Sequence, residues 1–325
     1  MILKRIFSAV TALLICLTIS SCGQAPEPET ASKEHVFRED KIELPKDFNN
    51  FGSIFYNDGK IYIIGSRLQS SGDDADTYKW SEETAVQIVG LDGKVENTAV
   101  ISKDEGGLYD YMPRHVMKAC GDSGGGIVTI DSKPAEFTST GVTSDYFLAR
   151  YSETGEKLSD VNLNGLLTEL ETDDLYAWDM LSLDDGAYLI ILEKTIIAID
   201  RNGKLLYEIK DSTLPENTRF YRFAKTVDGR IFTSYNTYEF DRGEYVGKDY
   251  LVELDIPNKK FGEKYLVSSS NFISGTEKYD LRIIRESGLA GYDIETGETE
   301  TIIDWLKSGF DTTAMESEST PALPD

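Results

Sequence analysis

The chain is short of the residues that most often carry chemistry. It has two histidines, His35 and His115, and three cysteines in 325 residues. So few nitrogen and sulfur ligands exclude a transition-metal centre of the usual kind, and no cofactor is expected. Cys16 falls in an N-terminal apolar run and Cys22 closes it, which leaves Cys120 alone. An internal disulfide is therefore excluded. A domain without disulfides must rely on the size of its core, and Cys120 is expected to be a small buried hydrophobe. Positive charge is also scarce: 33 Lys and Arg stand against 57 Asp and Glu, a net charge of −24. Loss of Lys4 and Arg5 with a leader would lower it by two more. Such a surface repels nucleic acid, which excludes a nucleic-acid partner. No glycine-rich phosphate loop sits between a strand and a helix. Long amphipathic helices are missing, and only 163–175 and 302–310 have room for one or two helical turns.

What is present begins at the N-terminus. Lys4 and Arg5 precede an apolar stretch from Ile6 to Ile19, and Ile19-Ser20-Ser21-Cys22 ends it. Positive, apolar and small parts in that order make a secretory signal. The apolar part is too short to span a bilayer comfortably. A small-small-Cys ending resembles the lipobox of bacterial lipoproteins, which implies that residues 1–21 are removed and that Cys22 is lipidated. The expected location is the outer face of the cell membrane, with the membrane as a partner through the lipid. Residues 22–47 then read as the lipidated cysteine and a flexible stalk, opening on GQAPEPETASKE. Residues 307–325, ending ESESTPALPD, read as a disordered acidic tail.

Between them, residues 48–306 read as strands. Two kinds of turn alternate. The first precedes an apolar run: Asp58-Gly59, Gly124 to Gly126, Asp185-Gly186 and Asp228-Gly229. The second joins more polar runs: Asp92-Gly93, Thr154-Gly155, Asn202-Gly203, Asn258-Lys259 and Thr296-Gly297. A hydrophobic-then-acidic pair stands just before the second kind, as in Leu91-Asp92, Ile199-Asp200, Leu254-Asp255 and Tyr292-Asp293. An apolar inner hairpin followed by a polar outer one is the pattern of a four-stranded propeller blade. The repeats divide into five units near 48–103, 108–165, 175–212, 218–268 and 272–306, with insertions at 67–83 and 237–248. The expected fold is all-β: a propeller-like array of about five four-stranded antiparallel blades, with an incomplete or open ring compatible with so small a number.

The lipobox, the acidic stalk and the last unit carry a resemblance. That unit runs Lys278-Tyr279-Asp280, then Gly291-Tyr292-Asp293-Ile294-Glu295-Thr296-Gly297-Glu298, then Ile302-Ile303-Asp304-Trp305. It is similar to the propeller-like N-terminal region of lipid-anchored extracellular solute-binding proteins of Gram-positive bacteria, which serve ABC importers. In that family a two-lobed binding domain follows, and this chain has no residues for it. The resemblance thus implies association with an ABC-type uptake system, without carrying over transport binding.

Candidate ligand-binding residues come from one offset. An aromatic stands eight residues before the turn glycine in three units: Phe51 before Gly59, Trp178 before Gly186 and Tyr221 before Gly229. These rings either fill the core between blades or line a channel mouth that stacks on a sugar or peptide. Asp179 and Arg222, one residue further on, either face that channel or pair with each other across blades. Two other features tempt. Gly121-Asp122-Ser123-Gly124-Gly125 resembles the nucleophile motif of trypsin-like proteases. That chemistry needs a base held by an aspartate, and His115 lies only eight residues from Ser123. Asp73, Asp74 and Asp76 with Glu82 and Glu83 form an acidic loop that lacks the glycine and spacing of a calcium-binding EF-hand. The expectation is a non-catalytic surface lipoprotein displaying a ligand-binding or protein-interaction module. The alternative is a carbohydrate-active enzyme, a glycoside hydrolase or lyase, using channel-mouth carboxylates.

Overall fold

A computed structural model describes residues 48–307, apart from 49, 58, 73–76, 91, 108–113, 139–140, 173, 216, 242–243, 270, 286 and 305–306. Cys22, the stalk, His35 and most of the acidic tail lie outside the described residues.

The turns decide the architecture. Every turn of the first kind puts a glycine at positive φ, as at Gly59, Gly125, Gly186 and Gly229. The second kind does the same at Gly93, Gly155, Gly203 and Gly297, with Lys259 at φ 56 in the remaining case. The acidic residue before the second turn is its side-chain acceptor. Asp200 Oδ1 takes the amides of Asn202 at 2.8 Å and Lys204 at 2.9 Å. Asp293 Oδ1 takes that of Thr296 at 2.8 Å. Such local bonds favour a tight reversal over continued strand.

Five four-stranded antiparallel sheets result, each with its strands in chain order. Blade 1 holds β1 (Asn50–Asn57), β2 (Lys60–Ser71), β3 (Lys79–Gly90) and β4 (Val95–Gly107). Blade 2 holds β5 (His115–Gly121), β6 (Ile127–Thr138), β7 (Gly141–Tyr151) and β8 (Lys157–Asn162), followed by the short helix α1 (Asn164–Glu169). Blade 3 holds β9 (Asp179–Ser182), β10 (Tyr188–Ile191), β11 (Ile196–Ile199) and β12 (Leu205–Ile209). Blade 4 holds β13 (Arg219–Lys225), β14 (Ile231–Asp241), β15 (Glu244–Asp255) and β16 (Lys260–Val267). Blade 5 holds β17 (Phe272–Ser274), β18 (Leu281–Arg285), β19 (Gly288–Tyr292) and β20 (Thr299–Asp304). The expected five-bladed propeller is what forms. The insertions are not irregular loops: β2–β3 and β14–β15 simply continue their ladders outward. The β6–β7 hairpin is extended in the same way, which the sequence reading missed. Of the two helical segments expected, 163–175 holds α1, while 302–304 belongs to β20.

The middle strands of blade 3 are covered on both faces, by blades 2 and 4, so their sequences are continuously apolar. Every residue of β10 and β11 is buried. Outer strands such as β16 alternate between half-buried and exposed positions. Four apolar clusters fill the seams. Tyr62, Ile88 and Tyr151 join blades 1 and 2. Val128, Leu148 and Tyr188 join blades 2 and 3. Leu189, Phe220 and Tyr235 join blades 3 and 4, and Phe232, Phe272 and Tyr292 join blades 4 and 5. Among the described residues no such cluster joins blade 5 to blade 1.

Each filled seam also carries polar latches. Glu153 of blade 2 accepts from Tyr62 OH at 3.0 Å and Lys60 Nζ at 3.1 Å of blade 1. On the same seam Arg114 reaches Asp131 and Asp160, and its amide donates to Asp104 of blade 1 at 3.1 Å. Blades 4 and 5 are tied by the Gly275 amide, which donates to Lys225 O at 2.9 Å. Close backbone approach is built in as well. A Cβ at Gly126 (φ 89) would sit 2.2 Å from Tyr151 O, so only glycine fits there.

Candidate functional site

The aligned aromatics stand at one end of the innermost strands, and at two of them, in β1 and β13, a β-bulge disturbs the ladder. β13 has its register shift between Phe220 and Phe223, so Tyr221 and Arg222 are the bulged residues. β1 shifts just after Phe51, which pairs with Gly65; the side chain of Phe51 lies outside the described residues. β5 shifts at Met117, eight residues before Gly125. The eight-residue offset therefore extends to a fourth blade, where a thioether stands in place of the ring. Bulges re-aim side chains and often sit beside functional surfaces.

Trp178 immediately precedes β9, and its amide donates to Ile191 O at 2.8 Å. Its half-buried indole packs against the core between blades 3 and 4. Among the described residues Trp178 Nε1 has no hydrogen-bond partner. Tyr176 is 56% exposed and sets its ring edge-on to the indole, centroids 5.1 Å apart. Tyr221 is half-buried; burial pushes its hydroxyl up, and nearby Tyr238 and Asp249 add to the push. Tyr238 is itself exposed. Both Tyr176 and Tyr238 escaped the sequence reading because they lie off the eight-residue offset.

Asp179 and Arg222 do not form the ion pair that their spacing suggested among the described residues. Asp179 Oδ2 instead accepts the Phe223 amide of the next blade at 2.7 Å, which brings β9 and β13 together. Burial holds the Asp179 carboxyl above its usual range, opposed by the amides of Phe223 and Met180 and by the charges of Lys118 and Arg222. Arg222 is exposed and acts on Asp179 through its charge alone. Because the folded pKa is raised, ionising Asp179 in place costs stability as pH climbs from about 4 through that value. Asp179→Asn keeps an acceptor for the Phe223 amide and removes the charge. Its stability relative to the parent is expected to improve between pH 4 and pH 7, read from denaturation midpoints. A difference that is flat or falls with pH would contradict this account.

Asp122 and Ser123, which resemble a protease motif, work as a latch between blades 2 and 3. The Asp122 side chain is 1% exposed. Its Oδ2 accepts from Arg150 Nε at 3.0 Å, and its Oδ1 from Tyr188 OH at 3.1 Å and Arg201 at 3.5 Å. Arg201 also donates to Ser123 Oγ at 3.1 Å, and the Ser123 amide donates to Ser182 Oγ at 3.2 Å. His115 opens β5 and Gly121 closes it. At about 3.3 Å per residue the histidine is roughly 20 Å from the serine end of the strand. Cys120, next to the latch, is buried as expected, and burial pushes its thiol well up.

A shallow groove of about 580 Å³ runs along the rim of blade 2 beside α1. Ser144, Asp145, Asn164, Thr168, Glu171 and Thr172 line it. Asn164 fixes its floor, donating to Asp145 Oδ1 at 2.6 Å and accepting from the Tyr146 amide at 3.2 Å. Glu171 holds φ 54, a positive value unusual for a side chain of its size. Asp73, Asp74 and Asp76 fall outside the described residues. Glu83 pairs with Arg67 at 3.3 Å, and Glu82 is buried on β3. Among the described residues no three His, Cys, Asp or Glu side chains converge in a manner suited to a metal.

No protein-family model matches the chain, and no curated protein matches it. Solved structures do resemble it. A protein of unknown function from Bacteroides caccae shares 12% identity over 71% of this chain and 83% of its own, with a TM-score of 0.29. The Pan2 WD40 domain of Neurospora crassa shares 9% identity over 78% of each chain, with a TM-score of 0.41. The Dos1 propeller shares 10% identity over 77% of this chain and 68% of its own, with a TM-score of 0.37. Likeness at this level concerns fold and carries no argument about role.

Proposed function

We propose that this β-propeller, a fold suited to binding and interaction, is a non-catalytic module of a lipoprotein held outside the cell by Cys22, and that it captures a sugar or peptide ligand. The observation that carries the binding surface is the aromatic end of blades 3 and 4. Tyr176 presents an exposed ring beside Trp178, and Tyr221 with Tyr238 stands on the adjoining blade. Flat aromatic faces with polar tips suit sugars and peptides alike, because they give apolar contact and hydrogen bonds together. Arg222, exposed beside Tyr221, adds a cation that an acidic or carbonyl-bearing ligand would use.

The non-catalytic reading rests on carboxylates. Asp179 is the one Asp or Glu on the five innermost strands. Paired-carboxylate hydrolysis needs two groups a few ångströms apart. The Asp179 oxygen nearest blade 4 is already taken by an amide. Association with an importer follows from the resemblance alone.

Titration with oligosaccharide and peptide panels tests the reading, followed by tryptophan fluorescence and by thermal shift. The chain has three tryptophans, so the signal is assigned by difference against Trp178→Phe. Tyr176→Ala leaves the core untouched and is expected to weaken a true ligand by about 1–3 kcal/mol, roughly fivefold or more. A ligand whose affinity ignores Tyr176 and Trp178 would move the site elsewhere, and the rim groove of blade 2 is then the next place to mutate.

A further inference from the structure

The five innermost strands reverse the charge balance of the chain. The whole chain sets 57 acidic residues against 33 basic ones. These strands carry Lys118, Arg219, Arg222 and Lys225 against a single acid, Asp179. Lys225, at the turn end of β13, is engaged by Asp184 at 3.3 Å. Arg219 opens β13, and its charge acts on Tyr221. The other two share one repeat position with Asp179. Lys118, Asp179 and Arg222 each stand seven residues before a turn glycine, at Gly125, Gly186 and Gly229. The same position in blade 1 is Gly52. Blades 2, 3 and 4 therefore place a cation, an acid and a cation in succession, each one residue beyond Met117, Trp178 and Tyr221.

Elsewhere this chain neutralises a buried carboxylate by contact. Arg150 Nε meets Asp122 at 3.0 Å, and Arg114 Nε meets Asp131 at 2.7 Å. Lys118 and Arg222 behave differently. Both are near enough for their charges to act on Asp179. Its Oδ2 nonetheless takes the Phe223 amide at 2.7 Å, and among the described residues neither cation makes an ion pair with it. Arg222 is exposed and Lys118 is half-buried. A cation held beside a carboxylate but out of contact keeps its donors for another acceptor. Two such cations around one acid leave a surplus of positive charge. The chain's net charge of −24 favours no anion at a distance. Fields from exposed charges fade over about 8 Å at physiological salt, so an anion here would be held by direct contact.

We propose that Lys118 and Arg222 together take a carboxylate of the ligand, so that the aromatic end of the ring selects acidic sugars or peptides over neutral ones. The guanidinium fork of Arg222 matches both carboxylate oxygens, and the Lys118 ammonium adds a point charge from the other side of Asp179. The remainder of the ligand lies on the aromatic surface, so this inference rests on the reading given above. It does not rest on lipidation.

Paired probes test it in the full chain. Trigalacturonate is compared with its methyl ester, and a short aromatic peptide with a free C-terminus is compared with its amide. Binding is read by calorimetry. The acidic member of at least one pair is expected to bind roughly tenfold or more tighter than its neutral twin, and which pair does so identifies the source of the carboxylate. Lys118→Met and Arg222→Met are each expected to weaken the acidic member roughly tenfold and to move the neutral one by less than about twofold. Asp179→Asn removes the negative charge beside the bound carboxylate and is expected to tighten the acidic member severalfold. If both cations serve Asp179 alone, that substitution leaves the preference unchanged. A retained cooperative melt shows that each variant folds. Tyr176→Ala reports on the aromatic surface separately. Binding that needs Tyr176 but ignores Lys118, Arg222 and ligand charge overturns this inference and leaves that surface standing. Charge-dependent binding that ignores Tyr176 upholds the carboxylate site and removes the surface. Silence from both acidic probes at millimolar concentration overturns the proposal outright.

Discussion

Replacing Arg114 with alanine is expected to lower the unfolding free energy by about 3–5 kcal/mol, the cost of leaving a buried carboxylate without its cation. The Arg114 guanidinium holds Asp131 through Nε at 2.7 Å and grips Asp160 with both terminal nitrogens at 2.7 and 2.9 Å. The two side chains of the inner pair are 13% and 3% exposed. Burial pushes the Asp131 carboxyl up, and Arg114 opposes that push. The guanidinium also lies 4.2 Å from the centre of the Phe147 ring, which adds a cation–π contact. Lysine cannot reproduce a planar fork with two carboxylates and a ring face, so Arg114→Lys should recover only part of the loss. Arg114→Met with Asp131→Leu removes both buried charges and should recover more than either single change. Urea unfolding followed by circular dichroism gives the comparison. If Arg114→Ala costs less than about 1 kcal/mol, the cluster behaves as a surface pair and its structural role is refuted.

Asp122→Ala should be as damaging. It strips the partner from Arg150, Tyr188 and Arg201 at once, across the seam of blades 2 and 3. An uncompensated buried charge costs about 3–5 kcal/mol. Asp122→Asn keeps an acceptor and the shape, and should fall between. Ser123→Ala loses one hydroxyl that accepts from a half-exposed arginine, and should cost about 0.5–1.5 kcal/mol. This ranking separates a latch from a catalytic pair. In a hydrolase the serine would dominate activity while leaving stability alone. Here the aspartate is expected to dominate stability, and unfolding of Asp122→Ala should lose its single cooperative transition as blades 1 and 2 part from blades 3 to 5. One sharp transition with an unchanged midpoint would refute the latch.

Blade number and blade boundaries were legible because turn chemistry is local. A glycine at positive φ beside an aspartate that caps its own reversal is written in three or four consecutive residues, as in Asp200-Arg201-Asn202-Gly203. Even Asn258-Lys259, with no glycine, was readable from its place in the repeat. The latches were not legible. Arg114, Asp131 and Asp160 come together only because β5, β6, β7 and β8 lie in a particular register, and a bulge at Met117 shifts that register by one. The same limit hid the true partner of Asp179. Its spacing from Arg222 suggested an ion pair, yet the bulge at Tyr221 and Arg222 leaves the Phe223 amide to take the carboxylate. The Asp122-Ser123 motif was legible as a glycine-rich turn, but its work depends on Tyr188 and Arg201 from another blade. The eight-residue offset found Trp178 and Tyr221, and missed Tyr176 and Tyr238 because exposure leaves no periodic mark.

Strand order within each sheet follows the chain without a single crossover, and each blade docks on the one made just before it. Assembly can therefore proceed from the N-terminal side in small increments. Each hairpin closes a short loop at little entropic expense, and no strand must wait for a mate from the far end of the chain. A polypeptide emerging gradually from a narrow pore could thus fold as it arrives, with every finished blade serving as the template for its successor.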